Sequence, residues 1–231
     1  MSRMENRDAI SMSTRMLLIF GAFAGPMFTI IWLTTGSMRA SYDPMQHPIS
    51  ALSLGEYGWT QIANFIFTGF LTLILAVGLQ RLQKVRDVPT WMPVLISIVG
   101  IGFLGTGFFA TDPINGYPPG TPVIVVPPTL TGFLHVVFAS FVFALPVACF
   151  VFALFFASKG EGHWAVYSRI TAIAFILIYL IAMAGFLQVD GLPSYAGFFQ
   201  RVSMMIGLTW MTLLPIYLLK STSVIRETGR L

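Results

Sequence analysis

The chain has 231 residues, of which 56% are hydrophobic and only 10% charged, with a formal net charge of +4. Soluble domains carry about 25% charged residues, so this composition, with a mean hydropathy of +0.80, excludes a water-facing globule and leaves a single membrane domain. The positive balance does not mark a nucleic-acid binder: the basic residues sit in short connections between apolar runs, where membrane topology explains them, and no nucleic-acid partner is expected. The one cysteine, Cys149, excludes an intrachain disulfide and a cysteine-based metal site.

Residues 1–15, MSRMENRDAISMSTR, mix acids with bases and read as a cytoplasmic tail. The apolar run that follows is longer than the roughly 7–15 residues of a signal-peptide core. Its only cleavage-like stretch, 37–40, has Met38 where a small residue is needed, so the run reads as a retained membrane helix. A spanning helix needs about 20 mostly apolar residues, and six stretches qualify: 16–36, 59–80, 92–111, 131–157, 169–187 and 198–219. The spacing therefore predicts an all-α, six-helix membrane domain over 16–219, followed by a second cytoplasmic tail at 220–231.

Orientation follows from lysine and arginine. Arg3, Arg7, Arg15, Arg81, Lys84, Arg86, Lys159, Arg169, Lys220, Arg226 and Arg230 fall on one side, and only Arg39 and Arg201 on the other. This asymmetry predicts a plasma or inner membrane protein with both termini in the cytoplasm and segments 37–58, 112–130 and 188–197 outside. The external segments hold most of the prolines, including Pro44, Pro48, Pro113, Pro118, Pro119, Pro127 and Pro128. Proline fixes φ and lowers the entropy lost on ordering, so a structured external cap is expected. Within the membrane, Pro26 and Pro146 should kink the first and fourth runs. Gly100, Gly102, Gly105 and Gly107 should let the third run approach its neighbours closely. The connection around His163 reads as a solvated linker.

The wettest stretch is Tyr42 to Trp59, YDPMQHPISALSLGEYGW. It has two local readings. Ser53-Leu54-Gly55-Glu56 matches a capping box for the second run, whereas Pro48 can start a short interfacial helix that Gly55 stops. His135 lies in the first turns of the fourth run, Arg201 about one turn into the sixth, and Asp112 closes the third. The three should share a depth near the outer boundary. An arginine partly inside lipid needs a carboxylate or backbone partner, and Asp112, Glu56 and Asp190 are the acids available.

These residues define the expected site, a small-molecule, lipid-headgroup or partner-protein pocket at the outer face built from His47, Ser50, Glu56, Asp112, His135 and Arg201. The bilayer and a small-molecule or lipid ligand are the partners expected, and no cofactor is. The alternative is a membrane-embedded hydrolase or transferase using His47, Ser50, Asp112 and His135, in which His47, His135 and Asp112 would meet the count of three for a metal. No HExxH or GxSxG motif supports it, so binding is favoured over catalysis. A small transporter is a further alternative, weakened by the lack of ionisable residues at the centres of the runs.

HPIS followed by a leucine-rich stretch, FFATDPINGYPP, then GFLHVVFA, and the late GFFQRVSMMIGLTW together resemble a bacterial and archaeal membrane family, the domain of unknown function 998. The resemblance implies a six-helix membrane domain and no assigned chemistry. Matched position by position, it singles out His47, Pro48, Ser50, Asp112, His135, Gln200 and Arg201.

Overall fold

The computed structural model describes residues 10–86, 88–124 and 127–228. The tail residues 1–9 and 229–231, with Arg3, Arg7 and Arg230, lie outside the described residues. Among those described, eight α-helices follow in order: α1 (Met12–Ala22), α2 (Ala24–Ser37), α3 (Gly58–Arg86), α4 (Trp91–Phe108), α5 (Leu130–Ser140), α6 (Ala144–Ser158), α7 (Gly162–Phe186) and α8 (Ala196–Thr228). α1 with α2, and α5 with α6, each form one broken span, so six helices are long and apolar enough to cross a membrane. Large apolar side chains stand exposed along them, among them Phe67, Phe70, Ile101, Leu154, Ile170 and Leu177. A water-soluble monomer does not expose apolar surface over so many helix faces, whereas a lipid-facing bundle does.

Both breaks have a proline cause. Pro26 cannot donate to the carbonyl four residues back, at Ala22, and α1 ends there with Phe23 as the joint. Pro146 stands in the same relation to Val142, which lies in the 3₁₀ turn Phe141–Phe143 between α5 and α6. The glycine-rich face of α4 packs on two neighbours. A β-carbon on Gly100 would press on Leu73 and the Gly69 carbonyl of α3, and one on Gly102 would lie 2.9 Å from the Phe138 carbonyl of α5. Trp210, fully buried, anchors the middle of the bundle and donates its indole N–H to Ser168 Oγ at 2.9 Å.

Several local expectations change. α4 stops at Phe108, so Asp112 lies beyond the helix end and not on it. α7 begins at Gly162, which places His163 inside a helix and shortens the connection to 159–161. The helices also overrun the expected membrane domain, starting at Met12 and continuing to Thr228. The Ser53 capping box does not form. Ile49–Ser53 is a 3₁₀ turn entered through extended Pro48, Gly55 follows in the left-handed region at φ 76°, and α3 starts only at Gly58. Ser53 Oγ instead donates to the Ser50 carbonyl at 2.6 Å, as short polar side chains do when they compete for nearby backbone. The second reading, a short helical turn closed by Gly55, is the one adopted.

The loops after α2, α4 and α7 meet at one end of the bundle. Asn115 joins all three: its Nδ2 donates to the Gln46 carbonyl at 2.9 Å and its Oδ1 accepts from Gln188 Nε2 at 2.6 Å. Asn115 and Gln188 both hold positive φ, 53° and 63°, a conformation that asparagine tolerates better than most residues.

Candidate functional site

Arg201, about one turn into α8, is buried and organises the loop layer above it. Its Nη1 donates to three carbonyls, Pro44 at 2.7 Å, His47 at 2.9 Å and Gly197 at 2.9 Å. Its Nη2 donates to the Tyr42 hydroxyl. The guanidinium also lies over two aromatic rings, 5.2 Å from Trp32 and 5.5 Å from Tyr42. None of Asp112, Glu56 or Asp190 pairs with it. The acid partner expected from the sequence is replaced by backbone carbonyls, the other way in which a membrane-depth arginine is satisfied. Gly197 makes room for this arrangement, since a β-carbon there would sit 2.5 Å from the His47 carbonyl and 2.7 Å from that of Pro44.

Tyr42 passes the contact on by donating its hydroxyl to the Pro48 carbonyl at 2.9 Å. Burial pushes its pKa up to about 12, against the opposing pull of Arg201, so the hydroxyl keeps the proton that it donates. His47 is equally committed. Its Nδ1 accepts from the Asp43 backbone N–H at 2.8 Å, and its Nε2 faces the Asn115 carbonyl at 3.3 Å. A carbonyl only accepts, so the proton sits on Nε2 and the ring is neutral. Burial lowers the His47 pKa, with the Asn115 carbonyl and Asp43 opposing and Arg201 adding to the fall. The ring is flanked by Tyr42 and Tyr117, with centroids 5.5 and 5.1 Å away. Both ring nitrogens are used, and no base or ligand atom remains.

Asp112 serves the start of α5. Its carboxylate accepts from the Thr129 hydroxyl at 2.6 Å and the Thr129 N–H at 2.9 Å, and Thr129 in turn accepts from Gly132 N–H as the α5 N-cap. Carboxylates are favourable at helix N-termini. Gly132 has no side chain because a β-carbon would overlap the Asp112 carboxylate. Glu56 is exposed on the turn before α3. Arg39 supports the same turn, donating to the Leu54 and Leu52 carbonyls at 2.8 and 3.0 Å.

His135 belongs elsewhere. It is buried in α5, and its Nδ1 lies 2.7 Å from the Phe109 carbonyl. That contact puts a proton on Nδ1 and leaves Nε2 outside it. His135 borders a cavity of about 70 Å³ inside the bundle, beneath the loop layer. A single water needs about 10–15 Å³ on this measure. Ser50, Thr106, Tyr179 and Gln200 are the other polar residues on its wall, and Phe28, Phe65, Phe103, Phe138 and Met204 make up much of the rest. Gln200 is held by its Oε1, which accepts from Ile49 N–H at 2.8 Å, and its side chain lies in hydrogen-bonding contact with Tyr179.

The six residues expected to share a site therefore divide. Ser50 and His135 border the cavity, His47 and Arg201 hold the loop layer together, Asp112 caps α5, and Glu56 is exposed. No three histidine, cysteine, aspartate or glutamate side chains come together among the described residues. The metal set of His47, His135 and Asp112 is thus not assembled, because each is bound to different backbone. Sequence reasoning passed over Tyr42, Thr106 and Tyr179, and over Gln61, Asn64, Thr68 and Thr72, all buried. The last four recur at spacings of three and four along α3, a helical stripe visible in the sequence itself.

The profile of the family described as "Protein of unknown function (DUF998)" matches residues 22–217. The chain belongs to this family. The match runs from the end of α1 into α8 and takes in the loop layer and the cavity, and the family's description assigns no activity. No curated protein and no solved structure matches the chain. It is a multi-pass membrane protein of the DUF998 family.

Proposed function

We propose that this DUF998 protein binds a small, uncharged amphipathic molecule, free or as the end of a lipid, in the cavity beneath the loop layer. In this reading the layer faces out of the cell as a proline-rich cap, and the termini are cytoplasmic, as the lysine and arginine asymmetry favours. One observation carries the proposal: Ser50, Thr106, His135, Tyr179 and Gln200, from five separate elements, converge on a wall that is otherwise apolar. Binding sites commonly combine such a surface with a few placed polar groups. No aspartate, glutamate, lysine or arginine borders the cavity, so the occupant is uncharged. Native mass spectrometry of the detergent-purified protein tests this. A single small-molecule adduct is expected on the wild type and should be lost in Ala139→Phe, which fills the cavity. An adduct that survives the substitution, or a wild type without one, contradicts the proposal.

The same cavity supports a second reading. Ser50 and His135 both border it, and the Phe109 carbonyl, 2.7 Å from His135 Nδ1, would orient the imidazole for base work. The orienting group would then be that carbonyl and not Asp112. A fluorophosphonate probe should label Ser50 in the wild type and not in His135→Gln if the protein is a hydrolase; no labelling removes this reading.

A further inference from the structure

The fourth span is packed unevenly about its break. On the side away from the loop layer, seven of the fifteen residues of α6 are buried, and the helix packs along both α4 and α7. On the loop-layer side, only Gly132 and His135 of the eleven residues of α5 are buried. Among the described residues, α5 packs along α4, where Gly105 leaves room for the Phe138 ring, and not along α7 or α8. Yet the cavity is walled by His135, Phe138 and Ala139 of α5 and, opposite them, by Tyr179 of α7 with Gln200 and Met204 of α8. It therefore lies behind the gap between α5 and α7, and it is not sealed.

Contacts at both ends limit this gap. Phe143, just after the break, meets Tyr179 edge-on with ring centroids 5.1 Å apart and closes the gap toward α6. Toward the loop layer, Ile114 packs on the cluster of Ala182, Phe186 and Ala196 and closes it there. Tyr179 to Phe186 is about 10 Å along α7, which sets the height of the opening. The two spans run antiparallel, so one turn from Phe143 and Tyr179 toward the loop layer brings Ala139 level with Met183. Both are half-buried. Gly185 lies against Ala196 of α8, and Met183, about 160° around the helix from it, is turned away from α8 toward α5. Val136 and Leu180 stand exposed on the flanking helix faces, so the slot opens on hydrocarbon and not on water.

We propose that the ligand is a single-chain lipid with an uncharged hydroxyl head, a long-chain alcohol or a monoacylglycerol, which enters sideways between α5 and α7 and leaves its chain in the slot at Ala139 and Met183. Ser50, Thr106, His135, Tyr179 and Gln200 offer donors and acceptors together, and a hydroxyl is both. Where one water takes about 10–15 Å³, a cavity of about 70 Å³ takes a head of a few heavy atoms. This rests on the cavity of the proposed function and adds the class of ligand and its route.

The test is the binding of tritiated oleyl alcohol and tritiated 1-butanol to the purified full-length protein, by scintillation proximity. The two share a head, and only oleyl alcohol needs the slot. The wild type should bind both. Met183→Trp, which fills the slot and leaves the cavity wall in place, should weaken oleyl alcohol about tenfold or more and butanol less than about twofold. Oleyl alcohol binding unmoved by Met183→Trp, or a wild type that binds butanol and not oleyl alcohol, overturns the slot and leaves the cavity standing. A wild type that binds neither removes the cavity reading and this one with it. If Met183→Trp does not fold, or weakens both alcohols alike, oleyl alcohol carrying a mid-chain diazirine decides on the wild type in lipid nanodiscs: crosslinks to α5 and α7 are expected, and crosslinks confined to other elements overturn the proposal.

Discussion

The loop layer and the bundle beneath it treat polar groups in opposite ways. In the layer, His47 uses both ring nitrogens, Asn115 uses both ends of its amide, and Arg201 shares its Nη groups among four acceptors. Farther into the bundle, the indole of Trp32, the amide nitrogen of Gln61, Asn64 Oδ1 and Thr68 Oγ1 are buried without partners, and a cavity opens beside His135. A layer whose polar groups are nearly all engaged, Arg201 Nε apart, is a scaffold. Buried groups with unused hydrogen-bonding capacity are the ones that gain most from a new partner. The residues most conspicuous in the sequence therefore build the lid, and the functional candidates lie below it.

If Arg201 is the bolt of this lid, its loss has the largest effect. Arg201→Ala should cost about 4 kcal/mol in unfolding experiments, because three carbonyls and the Tyr42 hydroxyl lose their donor together. Neutralising Asp112, Glu56 and Asp190 in that background should restore nothing; a rescue would show that an acid is the true partner. Gly197→Ala attacks the same joint by crowding, and should cost about 2 kcal/mol while leaving every donor and acceptor in place. An unchanged melting temperature would mean that the 44–47 segment is not held against α8.

A smaller effect concerns pH. The folded state depresses the His47 pKa below its ordinary value of 6.5, so between these two values the unfolded chain binds more protons. Stability contributed by neutral His47 is thus fully present above about pH 6.5 and is lost as pH falls through the window below it. Wild-type melting should drop between pH 7 and pH 5 more steeply than that of His47→Gln, and parallel slopes would contradict the neutral assignment.

Much of the fold was legible because it depends on run length and proline position. Six apolar runs of about 20 residues leave few alternatives, and the breaks at Phe23 and Phe141–Phe143 follow from Pro26 and Pro146. The site was less legible because its partners are backbone. Every residue carries a carbonyl, so nothing in the sequence marks Pro44, His47 and Gly197 as the acceptors of Arg201, or Phe109 as that of His135. Ser53 shows the same limit at short range: one hydroxyl fits a capping box or a bond to Ser50, and only the late start of α3 decides between them. The α3 stripe of Gln61, Asn64, Thr68 and Thr72 was legible in its spacing and hidden only by the apolar residues around it.

The central claim is that His47 is scaffold and His135 is site. The most direct measurement is the amount of co-purified small molecule per folded protein, by native mass spectrometry, in His47→Gln and His135→Gln, with the melting temperature of each. The account predicts lower melting with undiminished occupancy for His47→Gln, and lost occupancy with near-wild-type melting for His135→Gln. The reverse pattern, occupancy lost at His47 and kept at His135, would contradict it.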